Sequence, residues 1–316
     1  MEIDTALNRM YLSWTDISGW ERCEMWAYYN RVLRLELRPG TGGPIQDTLA
    51  LDWGKAMHEV QALRAQGVGI DEALGTVVAG LKDDPKGLRT PQALERYARA
   101  YEDLKQPFTP VQSEFGWSMP LNASVGGLEL WIRGVQDLIA KDEGGRIWDV
   151  ELHTSSRPPG MFFSTAATKW QWRIYAAASS AIVGKEVDQL WLVYMYLVKT
   201  AGEKKPWVEV ILQNPTWVPP LTTFMPRLVR RCQGIAEQIC WAQDHKDQVH
   251  LQFPEFSDQG CGAYWSVCPY FPICQGGAGY WPHQAEWEEM YQVAQPSSRE
   301  ITFKEIPNPK EVIGDV

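Results

Sequence analysis

Three apolar runs separated by glycine-rich turns constrain the fold of this chain more than any other feature. The runs cover residues 111–121, 128–140 and 146–153, and the turns contain Gly126-Gly127 and the segment DEGG at 142–145. Glycine supplies the backbone angles that tight turns need, so apolar runs joined in this way predict strands in consecutive hairpins. We therefore predict an antiparallel β-meander over residues 111–153.

Segments with helical patterns lie on both sides of the meander. They cover residues 11–38, 48–66, 71–82, 91–105, 164–183 and 222–246. Two further strand-like runs occupy 187–199 and 206–212. Helices and strands in this order predict one α/β core with a helical insertion, the helical N-terminal region.

Composition and charge limit the classes of function. The chain has 316 residues, 45 % of them apolar and 22 % charged, which is the balance of a globular protein. It has no apolar stretch of the roughly 18 to 20 residues that cross a bilayer, and its first residues do not form a secretion signal. We therefore predict a cytoplasmic protein without a membrane partner. The net charge of −9 excludes bulk electrostatic binding of nucleic acid, so any DNA contact would depend on a local basic channel or on metal ions.

The meander carries one pair of candidate metal ligands. Asp137 lies near the end of one predicted strand, and Glu151 lies on the next. Carboxylates at the ends of adjacent antiparallel strands can converge on Mg²⁺ or Mn²⁺, because these ions prefer hard oxygen ligands. The alternative is a solvated hairpin with one carboxylate on each strand.

Two helical segments add residues that are ordinary when taken singly. His58 ends the sequence GKAMH on the helix predicted over 48–66, where a lone histidine is more often structural than a ligand. Gln171 and Tyr175 are four residues apart and therefore share a face of the later helix.

Together these pieces resemble the RecB-like branch of the PD-(D/E)XK nuclease superfamily over about residues 11–280. The matching segments are GKAMH (54–58), RGVQDLI (133–139), DVELHT (149–154) and QWRIY (171–175). The resemblance implies an α/β, restriction-endonuclease-like core with a mixed central sheet flanked by helices. It implies that His58, Asp137 and Glu151 bind Mg²⁺ or Mn²⁺. It also implies that Gln171 and Tyr175 contact the DNA backbone or shape the site near the scissile phosphate. The implied activity is that of a metal-dependent deoxyribonuclease, an exonuclease on single-stranded or duplex DNA ends.

One position departs from the family motif. The motif lysine, which positions the attacking water and stabilises charge on the phosphate, is replaced by His153. A histidine is mostly neutral at pH 7, although neighbouring carboxylates and a phosphate can protonate it. Lys169, on the later predicted helix, is a further candidate for the missing positive charge.

The cysteines indicate a second site. Cys261, Cys268 and Cys274 crowd near the end of the chain, and Cys23 in the first predicted helix is the natural fourth ligand. In a cytosolic chain such spacing favours a metal site over disulfides. The set resembles the iron–sulfur subset of the RecB-like nucleases, which implies a [4Fe–4S] cluster on these four residues. Zn²⁺ is the alternative, since it also accepts four thiolates. Cys232 and Cys240 are interpreted as buried apolar residues.

The predicted organisation is a single nuclease domain over 1–294 followed by a flexible tail over 295–316. The domain comprises a helical region (11–105), a nuclease core (106–250) and a cluster-binding segment (251–280). Relatives implied by the resemblance include CRISPR-associated nucleases and phage or recombination exonucleases. Partner proteins would accordingly be a helicase, or recombination or CRISPR-adaptation proteins. Two rival hypotheses remain. The first is a DNA-binding protein that no longer cleaves because the motif lysine is missing. The second is a structural protein that is stabilised by Zn²⁺ and retains vestigial metal ligands.

Overall fold

A computed structural model gives the secondary structure of the chain. It describes residues 1–38, 48–81, 91–103, 108–155, 160, 169–187, 189–198, 207–213, 220–249, 253, 268, 270, 274, 289–294 and 301–314. The strands are β1 (Glu2–Asp4), β2 (Arg9–Ser13), β3 (Leu35–Leu37), β4 (Thr109–Val125), β5 (Leu128–Lys141), β6 (Ile147–Ser155), β7 (Gln189–Val198), β8 (Trp207–Gln213), β9 (Tyr291–Val293) and β10 (Phe303–Glu305). The α-helices are α1 (Trp14–Arg22), α2 (Glu24–Ala27), α3 (Thr48–Ala65), α4 (Ile70–Val78), α5 (Pro91–Asp103), α6 (Trp170–Val183), α7 (Leu221–Asp244) and α8 (Pro309–Ile313).

The chain divides into two compact units, each built from three stretches of sequence. Unit 1 comprises Met1–Gln46, Ser118–Gly134 and Met225–Ile301, and unit 2 comprises Asp47–Trp117, Val135–Phe224 and Thr302–Val316. Strands β4 and β5 contribute residues to both units. The domain boundaries predicted from the sequence stay a prediction.

In unit 1, β2 is antiparallel to β1 and parallel to residues 129–133 of β5. Side chains alternate along a strand, and Met10 and Leu12 are accordingly buried beneath half-buried neighbours. Helix α1 begins at a capping box, in which the Ser13 hydroxyl accepts from the Asp16 N–H and the Asp16 carboxylate accepts from the Ser13 N–H. The helix predicted over 11–38 is therefore wrong at its start, where β2 occupies residues 9–13. It is also wrong at its end, where β3 pairs with β9.

In unit 2, β6 pairs with β5 in antiparallel orientation and with β7 in parallel orientation. Strand β7 in turn pairs with β8 in antiparallel orientation. Val150 and Leu152 of β6 share a core with residues of α3, α4 and α5, among them Met57, Leu74 and Tyr97. Helix α6 contacts β6 and β7 and buries three successive alanines, Ala176, Ala177 and Ala178. The predicted α/β class, a mixed sheet flanked by helices, is confirmed.

Two findings concern the rest of the described chain. The C-terminal segment, predicted to be flexible, contains β10 and α8, and its Ile306 and Asn308 are buried. Within the described residues, no helix combines the length and the apolar character that a bilayer crossing requires.

Candidate metal centre

The candidate metal centre lies in unit 2, where β5 and β6 carry the two predicted carboxylates. The last paired residues of these strands are Leu138 and Val150, so Asp137 and Glu151 are the next residues along each strand. The backbone N–H of Leu152 donates to Oδ2 of Asp137 at 2.8 Å, which fixes the orientation of this carboxylate. The structure thus brings together the two carboxylates that the hairpin pattern predicts.

His58 on α3 faces this pair. Its Nδ1 lies 3.2 Å from Oδ1 of Asp137 and 3.0 Å from Oε1 of Glu114. The three ligand atoms of His58, Glu114 and Asp137 lie within 4.8 Å of one another. An imidazole nitrogen and two carboxylate oxygens at this separation are a suitable donor set for Mg²⁺ or Mn²⁺.

Glu114 is the residue of this group that the sequence reasoning missed. It lies within β4 with a φ of 43°, in the left-handed region that non-glycine residues rarely adopt. Strained backbone of this kind costs about 1–3 kcal/mol and clusters at functional sites. The sequence signal was a single acidic residue inside the strand-like run at 111–121, which does not distinguish a ligand from a solvated side chain.

A buried amide joins two further carboxyl groups next to the centre. The side-chain amide N–H of Gln136 donates to Asp149 and, at 3.0 Å, to Oε1 of Glu151. All three residues are buried, and among the described atoms Oδ2 of Asp149 has no hydrogen-bond partner. The amide therefore holds Glu151 in place beside Asp137.

Carboxyl groups crowd together in this small volume. Burial and the charge of Asp137 raise the pKa values of Asp149 and Glu151 well above their ordinary range. Burial alone would lower the pKa of His58, but its contacts with Asp137 and Glu114 raise it to about 10. Such a site favours a bound cation, and binding of a divalent ion would release the proton from His58.

Helix α6 directs its predicted residues toward the same carboxylates. Burial raises the pKa of Tyr175 well above its ordinary value, and the charges of Glu151 and Asp137 raise it further. Gln171 hydrogen-bonds the Tyr175 hydroxyl group. The Trp117 ring stands edge-on to the Tyr175 ring, with centroids 6.1 Å apart. Tyr175 therefore stays a protonated hydrogen-bond donor beside the centre.

His153, which the sequence resemblance predicts at the position of the motif lysine, is neutral. Burial lowers its pKa to about 4, and the positive charge of Lys169 acts in the same direction. Lys169 immediately precedes α6, and its Nζ lies 5.9 Å from the centroid of the Trp172 ring. Burial also lowers the pKa of Lys169 from its ordinary value.

The described cysteines of the predicted cluster lie in unit 1. Cys23 is the N-cap of α2 and is buried, as is Cys274, while Cys268 is half-buried. Burial raises the pKa of Tyr291, and the neighbouring Tyr270, Cys268 and Cys274 raise it further. Tyr270, which lies between them in sequence, packs on Tyr29 with centroids 5.5 Å apart. Cys261 lies outside the described residues.

The same packing connects the N-terminal segment to the cysteine-rich one. Nδ2 of Asn30 donates to the Tyr270 hydroxyl at 3.0 Å, and that hydroxyl donates to the carbonyl of Leu35. The segment that follows Cys23 is thus packed against the segment that contains Cys268 and Cys274. Among the described residues, the ligand atoms that lie within 4.8 Å of one another are those of His58, Glu114 and Asp137, and the three described cysteines do not form such a group.

Comparisons with known proteins place this geometry in context. The family model of the PD-(D/E)XK nuclease superfamily matches residues 11–275. The crystal structure of SSO0001 is similar at 16 % sequence identity and a TM-score of 0.26, covering 61 % of this chain and 74 % of that one. A likeness this weak supports no conclusion about activity. No curated protein matches the chain.

Proposed function

This chain belongs to the PD-(D/E)XK nuclease superfamily, and from that premise we propose that it is a metal-dependent deoxyribonuclease of the RecB-like branch that hydrolyses phosphodiester bonds at DNA ends. The observation that carries the proposal is the convergence of His58, Glu114 and Asp137 beside the buried Glu151. In the alternative, a solvated hairpin, these side chains would be exposed to solvent and far from one another.

Each residue of the centre has a proposed role. His58, Glu114, Asp137 and Glu151 would hold Mg²⁺ or Mn²⁺, and Gln136 keeps Glu151 in position. Such an ion activates water and offsets negative charge on the phosphate. Tyr175 and its partner Gln171 donate hydrogen bonds to the DNA backbone near the scissile bond.

Lys169 takes over the charge of the motif lysine in this proposal. The buried, neutral His153 cannot stabilise a developing negative charge as a cation would. Lys169 acts electrostatically on His153 and precedes the helix that carries Gln171 and Tyr175. His153 then serves to orient water as a neutral hydrogen-bonding group.

A cleavage assay with defined DNA ends tests the proposal. Linear single-stranded and duplex DNA, labelled at either end, is incubated with Mn²⁺ and the wild-type protein or its Asp137→Ala variant. We expect the wild type to shorten DNA from an end and the variant to be slower by at least about 100-fold. Equal rates for the two proteins would show that the cleavage has another source.

The buried, neutral His153 also supports a second candidate, a DNA-binding protein that does not cleave. That candidate predicts that the wild type binds DNA in the presence of Mn²⁺ without degrading it. It further predicts that His153→Lys restores cleavage. If the wild type cleaves and Asp137→Ala does not, this second candidate is excluded.

We also propose that Cys23, Cys261, Cys268 and Cys274 bind a structural [4Fe–4S] cluster. The support is the packing of the Cys23 segment against Tyr270, between Cys268 and Cys274. Anaerobically purified protein should be brown, with broad absorption near ~400 nm, and should contain iron and acid-labile sulfide. Colourless protein with stoichiometric zinc would contradict the cluster. A cytoplasmic location and helicase, recombination or CRISPR-adaptation partners remain predictions.

A further inference from the structure

A cavity of about 290 Å³ in unit 2 adjoins the metal centre. Asp137 lines both the cavity and the centre. The other elements that supply the centre also supply cavity walls. Helix α3 carries His58 and then Gln61 and Arg64, and β4 carries Glu114 next to Ser113. A ligand group in the cavity would thus be directly adjacent to the metal ligands.

The walls of the cavity combine apolar surface with a few hydrogen-bonding groups. Arg64 and Glu102 form a two-pronged ion pair, with N–O distances of 2.7 and 2.8 Å, so their charges offset each other. Leu138 and Leu152 provide an apolar surface. Gln61 and Ser113 provide hydrogen-bonding groups. This mixture matches a nucleobase, which has apolar faces and a polar edge.

One wall is an aromatic ring held in a fixed position. The Phe108 ring lies edge-on against the Trp191 ring, with centroids 4.7 Å apart, and contacts the Trp148 ring at 5.7 Å. Because both tryptophans lie on strands, the Phe108 ring is supported from behind. Aromatic rings of this kind stack on nucleobases in proteins that bind single strands.

We propose that this cavity binds the nucleoside next to the scissile phosphate as an unpaired base that stacks on Phe108. The proposal rests on the proposed function and narrows its substrate class to DNA with an unpaired end. A base within a duplex is covered by its neighbours and joined to the opposite strand, so it must leave the stack before it enters such a cavity.

Two neighbouring residues at the end of α3 provide a matched pair of variants. Ala65 lines the cavity, whereas Gln66 is exposed. Ala65→Trp fills the cavity, and Gln66→Trp adds the same side chain outside it. The probes are a fluorescein-labelled single-stranded oligo(dT) and a blunt duplex of equal length, and binding is measured by anisotropy with Ca²⁺ in place of Mn²⁺.

The expected result is a selective loss. Ala65→Trp should weaken binding of the single strand by about 5- to 150-fold, the effect of one stacking contact, while Gln66→Trp binds like the wild type. Ala65→Trp and Gln66→Trp proteins that bind the single strand equally well would overturn the proposal. So would a wild type that binds the blunt duplex as tightly as the single strand.

A second variant covers the case in which Ala65→Trp does not fold, as judged by circular dichroism. Phe108→Leu keeps much of the apolar volume and removes the stacking ring, whereas Phe108→Tyr keeps an aromatic ring. We expect Phe108→Leu to lose affinity and Phe108→Tyr to retain it, and equal affinities would again overturn the proposal. If Mn²⁺-dependent cleavage requires Asp137 but is unchanged in these variants, the proposed function stands and the role of the cavity in base binding is rejected. The reverse outcome, selective binding without cleavage, would reject the nuclease activity alone.

Discussion

At the scale of single residues, Asp137 combines three contacts. One carboxylate oxygen accepts from the Leu152 N–H, the other faces Nδ1 of His58, and the same residue lines the adjoining cavity. Its charge also raises the pKa of Glu151. Asp137 is therefore placed to hold a metal ion, and in the metal-free protein its repulsion of Glu151 is offset by its attraction to His58.

This balance gives different expectations for metal affinity and for stability. Asp137→Asn should lower the Mn²⁺ affinity by about 10- to 100-fold, as measured by calorimetry. The melting temperature of the metal-free protein should change little, because the substitution removes both the repulsion on Glu151 and the attraction to protonated His58. Glu143→Gln, in the exposed turn of the same meander, is the control for loss of one charge. A metal affinity unchanged by Asp137→Asn would remove this residue from the centre.

The roles of Lys169 and His153 are separable by combining two substitutions. Lys169→Ala should lower the cleavage rate by about 100-fold or more, since it removes a group that stabilises charge in the transition state. The double variant with His153→Lys should recover much of the activity, because a lysine then stands at the motif position. Lys185→Ala, after the other end of α6, is the matched control. A double variant as slow as Lys169→Ala would argue against a shared electrostatic role.

At the scale of elements, the end of α6 depends on one glycine. Gly184 caps the helix with a φ of 69°, a conformation that strains any residue with a Cβ. Gly184→Ala should therefore lower the free energy of unfolding by about 1 kcal/mol. Gly75→Ala, within α4 and with open space around its Cα, should raise it by a similar amount. Urea denaturation measures both, and a shift of the same sign in the two variants would contradict the explanation.

The elements also show how far the sequence reasoning reached. Helix α3 and strand β5 lie within one residue of their predicted bounds, because each carries a long pattern that ends at turn-forming residues. Strand β2 was missed because its alternation lasts five residues and continues directly into the amphipathic α1. Glu114 was missed because its approach to His58 depends on tertiary packing and on a backbone angle that no local pattern specifies.

At the scale of the whole molecule, the net charge of −9 limits how DNA can be held. If binding depends on the metal centre, Lys169 and the cavity, only a few phosphates are neutralised. The logarithm of the single-strand affinity should then fall with the logarithm of salt concentration with a slope no steeper than about −2. EDTA should weaken binding further. Anisotropy titrations at several salt concentrations measure the slope, and a value beyond about −5 would instead require an extended basic surface.

The left-handed backbone of Glu114 has a consequence for laboratory evolution. Asparagine and glycine adopt that conformation more readily than glutamate, so replacement there should make the fold more resistant to heat. A selection for thermal survival alone should therefore accumulate changes at position 114, and the survivors should be poor at metal-dependent chemistry. If glutamate is retained under a joint selection for heat resistance and activity, its contribution to activity at position 114 matters more than its cost in stability.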